Sequence, residues 1–471
     1  MEFHLFSAET YRKRRENLVS NFDRGLIWLP GNSEAPMNYP DNTYHFRQDS
    51  NFLYYAGVDL PDLSLLIDVA EGKTYLCGDN RSIELVVWMG PQPSLQEIGK
   101  RVGIENTLTS NQLLERLKKA VQVKEEIHFL PPYRGLTIIK IAHWLDRAIK
   151  DIKSGASLQL IEAVIGQRSV KEEQELKQME IALSITRDMH LEVMYEARVG
   201  RKESELMAGL MAVMYRENVN LAYPVILTVN GQTLHNHDHS HVLQEGQLLL
   251  GDFGAECPMH YAGDITRTVP ANGVFNERQK EIYQIVLEGQ KTAIEMMAPG
   301  IPYRDVHLAA ARKMTEGLIA MGLMKGDVDE AVQNGAHALF FPHGLGHMIG
   351  LDVHDMEDLG EDLLGYDGEV KRSAQFGLRS LRYGKKLSEG NVLTVEPGLY
   401  FIPELIDIWA DEKKNASFIC YNKLEPFRDF GGIRIEDNFA ITETGTQLLG
   451  PAIPKETRDI EFLMSADRLT G

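Results

Sequence analysis

At 471 residues the chain exceeds a single ordinary core, so two or more domains are expected. Apolar residues at 43% and charged residues at 25% describe a globular protein rather than a disordered or fibrous one. The net charge of −19 repels polyanions, which argues against nucleic acid or an anionic membrane surface as the main partner.

The N-terminal stretch MEFHLFSAETYRKRRENLVSNF carries charges where a signal peptide needs an unbroken apolar run, and no later segment approaches the length of a membrane span. Cys77, Cys257 and Cys420 lie far apart and form no paired framework, so a reducing, cytoplasmic location is expected. From residue 1 to about 165, strand-like runs (GLIWLPG, LSLLIDV, KTYLCGD, EIHFLP) alternate with amphipathic helical patterns such as Gln112 to Val121. That rhythm predicts a small α/β domain. A polar stretch near Gly166 to Lys171 then opens a long charged helix, which places a boundary at 165/166 and a second domain over residues 166–471. Helices over Glu203 to Glu217, Glu277 to Met297 and Tyr303 to Met321, followed by strand-rich stretches, make this second domain α+β. Every chemistry-bearing motif falls within it.

The first motif is LLLGDFGAECPMHYAGDITRTV, which reads as a hairpin with Asp252 ending one strand and Asp264 in the second. Two carboxylates on one face of a hairpin are costly unless a cation lies between them, although two aspartates near a turn are ordinary when taken alone. The second is FFPHGLGHMIGLDVHD, with His343, His347 and His354 among Gly344, Gly346 and Gly350. Gly344 stands where a helical zinc motif needs its glutamate, so the glycines predict a loop with close backbone approach. Third, NVLTVEPGLYF delivers Glu396 from an apolar strand just before a Pro-Gly turn. In FGGIRIEDNFAIT, period-two alternation puts Arg434, Glu436 and Asn438 on one face, where Arg434 and Glu436, taken alone, read first as a surface cross-strand ion pair.

Together these motifs offer Asp252, Asp264, His347, Glu396 and Glu436, an oxygen-rich set suited to two divalent cations, most of all Mn²⁺, with Co²⁺ or Zn²⁺ also able to bind. Two ions roughly 3.5–4 Å apart can share a water and lower its pKa, which points to amide hydrolysis. A histidine run, LHNHDHSHVL, adds His235, His237, His239 and His241 at alternate positions. It reads either as an exposed loop or as the source of one donor near the cations.

GDFGAE with AGDITRT, HGLGHMIGLDVHD, LTVEPG and GGIRIED, in that order, resemble the five-ligand signature of the proline-specific branch of the creatinase or "pita-bread" family. FRQDSNFLYYAGVDLPD resembles a segment of that family's N-terminal domain. The resemblance implies an α+β pita-bread catalytic domain preceded by a smaller α/β domain. It also implies that Asp252 chelates one ion, Asp264 and Glu436 bridge both, and His347 and Glu396 complete the shells. His235, His343 and His354 match the family's substrate-contacting histidines, and Arg434 its carboxylate-orienting arginine. One departure is an extra residue between Asp252 and Asp264.

Within that family, FGLRSLRYGKKLSEG resembles the prolidases, in which Arg382 matches an arginine that anchors the C-terminal carboxylate of a dipeptide. The expected activity is therefore hydrolysis of Xaa-Pro dipeptides by a metal-bridging hydroxide. The alternative is an Xaa-Pro aminopeptidase acting on longer peptides, and a non-enzymatic scaffold of the same fold is the reading that absence of metal binding would revive. Small peptides with proline in second position are the expected partners, and the family implies a homodimer or larger assembly.

Overall fold

A computed structural model describes residues 4–80 and 82–466 of the chain. It divides into two compact units, Met1–Arg168 and Ser169–Gly471. No described helix is long and apolar enough to cross a membrane.

In the first unit, strands β1 (Leu26–Pro30), β4 (Ser64–Asp68), β5 (Lys73–Cys77), β6 (Asn106–Leu108) and β7 (Ile127–His128) form a mixed sheet in the order β6-β5-β4-β1-β7. The short strands β2 (Pro36–Tyr39) and β3 (Asn42–Thr43) pair separately. The four apolar runs of the sequence supply β1, β4, β5 and β7, because their Leu, Ile and Trp side chains fill the core below the sheet. The amphipathic helix runs from Ser110 to Val123 and starts at a capping box in which Thr109 and Gln112 satisfy each other's backbone N–H groups.

The second unit opens with the long helix Glu173–Glu196, followed by Glu203–Arg216. Strands β8 (Ile226–Thr228), β9 (Leu248–Asp252) and β10 (Thr266–Pro270) form one antiparallel sheet in the order β10-β9-β8. Helices Glu277–Met296 and Tyr303–Ala320 come next. Strands β11 (Val392–Val395), β14 (Asp437–Ile441) and β15 (Thr446–Leu448) form a second sheet, and β12 (Gly398–Tyr400) pairs with β13 (Gly432–Arg434).

Two local expectations change. Strand β10 begins at Thr266, opposite Asp252, so Asp264 lies two residues before the ladder rather than within it. The alternating run from Gly432 to Ile441 is not one strand: the chain leaves β13 after Arg434 and enters another sheet at Asp437. The expected surface face therefore turns inward, and Arg434 and Glu436 are only 3% and 2% exposed.

Candidate metal centre

The strand ends bring the acidic side chains together. Val395 pairs with Asp437 across β11 and β14, so Glu396 and Glu436, one step beyond that pair, leave the ladder side by side. The two sheets are tied by Asn438, whose side chain donates to Asp264 O at 2.6 Å and accepts from Asp264 N at 3.3 Å. His347 joins β11 edgewise, its N–H donating to Thr394 Oγ1 at 3.1 Å and its carbonyl accepting from Thr394 N at 3.0 Å. A Cβ at Gly346 would lie 2.1 Å from Thr394 O, so only glycine lets this loop approach so closely.

Asp264, His347 and Glu436 each offer a ligand atom, all within 4.8 Å of one another. His347 Nε2 lies 3.4 Å from Asp264 Oδ2 and 3.6 Å from Glu396 Oε1. Asp252 sits beside them, its Oδ2 held at 2.5 Å by Arg434 Nη2. Arg434 also donates from Nε to Thr266 Oγ1 at 3.1 Å and from Nη1 to Tyr400 OH at 2.8 Å. Thr266 in turn donates its hydroxyl to Glu436 Oε2 at 2.6 Å, so one threonine links the arginine to the glutamate. Arg434 thus meets Asp252 directly and Glu436 only through Thr266.

Electrostatics record the crowding. Burial pushes Asp252 up, with the charge of Arg434 opposing, and pushes Glu436 well up, with Asp264 and Glu396 adding to the rise. Glu396 is raised to about 7, by burial against the opposing charge of His347. Burial would lift Asp264 as well, but its hydrogen bond to His347 prevails and its carboxyl falls below the usual range. For His347 burial opposes, yet the bond to Asp264 and the charge of Glu396 raise it to about 9. Glu436 Oε1 is buried with no hydrogen-bond partner among the described residues. A buried, unpartnered carboxylate oxygen amid three other carboxylates and one imidazole fits a hard divalent cation, which would offset the like charges and take that lone pair.

A cavity of about 530 Å³ reaches this cluster and is also lined by His235, His343, His354 and Arg382, so these four share its wall with Arg434 and the five candidate ligands. Their freedom differs. His343 has both ring nitrogens engaged, Nδ1 with Gly344 O and Nε2 with Tyr400 OH, each at 2.8 Å. His354 packs against His347 with ring centroids 4.2 Å apart and places Nδ1 3.3 Å from Glu357 Oε2. In the histidine run, His237 and His239 turn back to the carbonyls of Val225 and Leu227, and His241 to the buried carboxylate of Glu203. His235 alone of the four has no hydrogen-bond partner among the described residues while facing the cavity.

Tyr223 was not legible in the sequence. Its hydroxyl meets Asp252 Oδ1 at 2.7 Å and also contacts Asp264 Oδ1. It stands three residues before β8, and no spacing or composition in LAYPV marks it. Glu357 was missed for a similar reason, because it follows a histidine motif that appears complete at His354.

The family model for metallopeptidase family M24 matches residues 177–443, and the model for the aminopeptidase P N-terminal domain matches residues 11–128. The chain is 32% identical over 450 residues to the Xaa-Pro dipeptidase of Homo sapiens, covering 93% of this chain and 88% of that protein. It is 33% identical over 469 residues to the Xaa-Pro aminopeptidase of Haemophilus influenzae, covering 97% of each. Zinc-substituted E. coli aminopeptidase P, solved in complex with product, superposes with a TM-score of 0.80 at 29% identity, over 98% of this chain and 99% of that one.

Proposed function

The chain belongs to metallopeptidase family M24 and carries an N-terminal domain of the aminopeptidase P type, and on that premise we propose that it is a two-metal hydrolase of Xaa-Pro peptide bonds, acting foremost on dipeptides. The observation that carries the reading is the buried convergence of Asp264, His347 and Glu436 with an unsatisfied carboxylate oxygen. Asp252, Asp264, His347, Glu396 and Glu436 would hold the ions, with Asp264 and Glu436 shared between them. The oxygen-rich set favours Mn²⁺ and also accommodates Co²⁺ or Zn²⁺. When bound, such cations activate a water and polarise the scissile carbonyl.

The remaining roles belong to the chain itself. Arg434 and Thr266 fix the carboxylates, so that little reorganisation accompanies the reaction. His235, which lines the cavity without a hydrogen-bond partner among the described residues, would donate to the oxygen on which charge develops. Ile226, Leu234 and Val353 supply an apolar wall in the cavity. A bond to proline is a tertiary amide without an N–H, and attack by a metal-activated water on its carbonyl does not require that donor.

Arg382 supports the dipeptide preference. It lines the cavity, and its side chain is one third exposed. Among the described residues its Nη1 alone is taken, by Glu357 and Glu361, which leaves Nε and Nη2 for a C-terminal carboxylate. Action on longer peptides is the second reading, favoured by the same two glutamates because they offset the charge of the anchor. Rates for a Xaa-Pro dipeptide and a Xaa-Pro-Xaa tripeptide with a common first residue separate the two: faster dipeptide cleavage supports the first, and cleavage mainly of the tripeptide supports the second. Inactivity on both, with no metal bound, would leave a scaffold. The same proposal includes a cytoplasmic location and a homodimer or larger assembly, which cell fractionation and sedimentation check.

A further inference from the structure

Arg382 and His354 both line the cavity, but their side chains are tied to a residue that does not. Glu357 Oε2 lies 2.5 Å from Arg382 Nη1 and 3.3 Å from His354 Nδ1. Its side chain is 10% exposed against 34% for Arg382. The same Nη1 lies 3.2 Å from Glu361 Oε1, whose other oxygen takes Arg372 Nη2 at 2.9 Å. Arg372 Nε is held at 2.6 Å by Asp362. Two guanidiniums therefore meet three carboxylates, and the charge of Arg382 is offset behind the cavity wall. A guanidinium bound along one edge still presents a fork on another, but a carboxylate arriving there is repelled by Glu357 across the same group.

Resting on the Xaa-Pro reading above, we infer that Glu357 is a specificity-determining residue for the C-terminal end of the substrate: held behind Arg382, it offsets the charge of that arginine, so that the site admits proline followed by a neutral group as well as proline ending in a free carboxylate. Glu357 acts through Arg382 and lies outside the cavity wall. Glu361, more open to solvent, contributes in the same sense and less.

The test compares kcat/KM for a Xaa-Pro dipeptide and for the corresponding Xaa-Pro amide, which differ at the carboxyl end by one charge, in the Mn²⁺-loaded wild-type protein, Glu357→Gln and Glu361→Gln. Two carboxylates roughly 6 Å apart across a guanidinium repel strongly at an effective dielectric of about 20, and the exposed rim and salt reduce that effect, so Glu357→Gln is expected to raise the acid-to-amide ratio about tenfold. Glu361→Gln, at a side chain 40% exposed, is expected to raise it by a smaller factor and serves if the first variant does not fold. Damage to folding or to His354 slows both substrates alike and leaves the ratio unmoved. A wild-type protein active on both substrates, with the ratio unchanged or lowered in the variants, overturns the assignment and leaves the peptidase reading standing. Wild-type turnover of neither substrate overturns both.

Discussion

The hydroxyl of Tyr223 stands 2.7 Å from Asp252 Oδ1 and also reaches Asp264, so one phenolic proton serves two aspartates that approach from different limbs of the hairpin. Burial and the charges of Asp252 and Asp264 push the Tyr223 hydroxyl well up, and it stays a donor at neutral pH. A hydrogen bond that orients a ligating carboxylate is generally worth 10–100-fold in metal affinity. Tyr223→Phe should therefore weaken Mn²⁺ binding by at least about tenfold in a calorimetric titration. Unchanged or tighter binding would show that the hydroxyl competes with the metal rather than preparing its site.

Arg434 is buried and spends all three of its donor groups on Asp252, Tyr400 and Thr266. Removing one partner of a buried ion pair leaves the other charge uncompensated, at a cost of about 3–5 kcal/mol. Arg434→Ala should lower the unfolding free energy of metal-depleted protein by that order in denaturant titrations. Arg434→Lys should recover only part of it, since an ammonium cannot fork to three acceptors. A loss below about 1 kcal/mol for the alanine variant would contradict the account.

Protons and metal compete for the same atoms. Glu396, raised from 4.5 to about 7, contributes stability to the metal-depleted protein that is complete below 4.5 and lost as pH climbs through about 7. His347, raised from 6.5 to about 9, contributes stability complete below 6.5 and lost as pH climbs through about 9. Both groups must shed protons to ligate. Mn²⁺ affinity should rise between about pH 7 and 9, the window these two groups span, with net proton release detected by calorimetry in buffers of differing ionisation heat. An affinity indifferent to pH, without proton release, would refute this assignment of ligands.

Glu203 anchors the end of the histidine loop: it is fully buried and accepts from Val229 N at 2.8 Å and His241 N at 3.2 Å. Glu203→Ala leaves two half-buried backbone donors without their carboxylate, which costs about 1 kcal/mol, and loosens residues 235–241. Limited proteolysis with a broad-specificity protease should then cut within that loop. A wild-type digestion pattern would mean that the loop holds its place by other contacts.

Sequence reading succeeds here where the signal is local. Alternation and a turn made the Asp252–Asp264 hairpin legible, and the glycines around His347 announced the close approach that Gly346 makes to Thr394. It falters where placement depends on distant chain. Period-two alternation continues through Ile435 and Glu436 although the strand breaks there, because the change of sheet is imposed by what lies on either side rather than by the residues themselves. Likewise, nothing local distinguishes His235 from His237, His239 or His241; the carbonyls of β8 and its approach, together with Glu203, capture the other three. Tyr223, Thr266 and Glu357 enter the site only through folding.

The most direct test of the central claim is the release of free proline from a Xaa-Pro dipeptide by Mn²⁺-loaded protein, measured beside Glu436→Ala at matched concentration. The account predicts steady release by the wild-type protein, abolished by chelation, and loss of activity in the variant because a ligand shared by both ions is gone. Undiminished turnover by Glu436→Ala, or release that survives chelation, would contradict it.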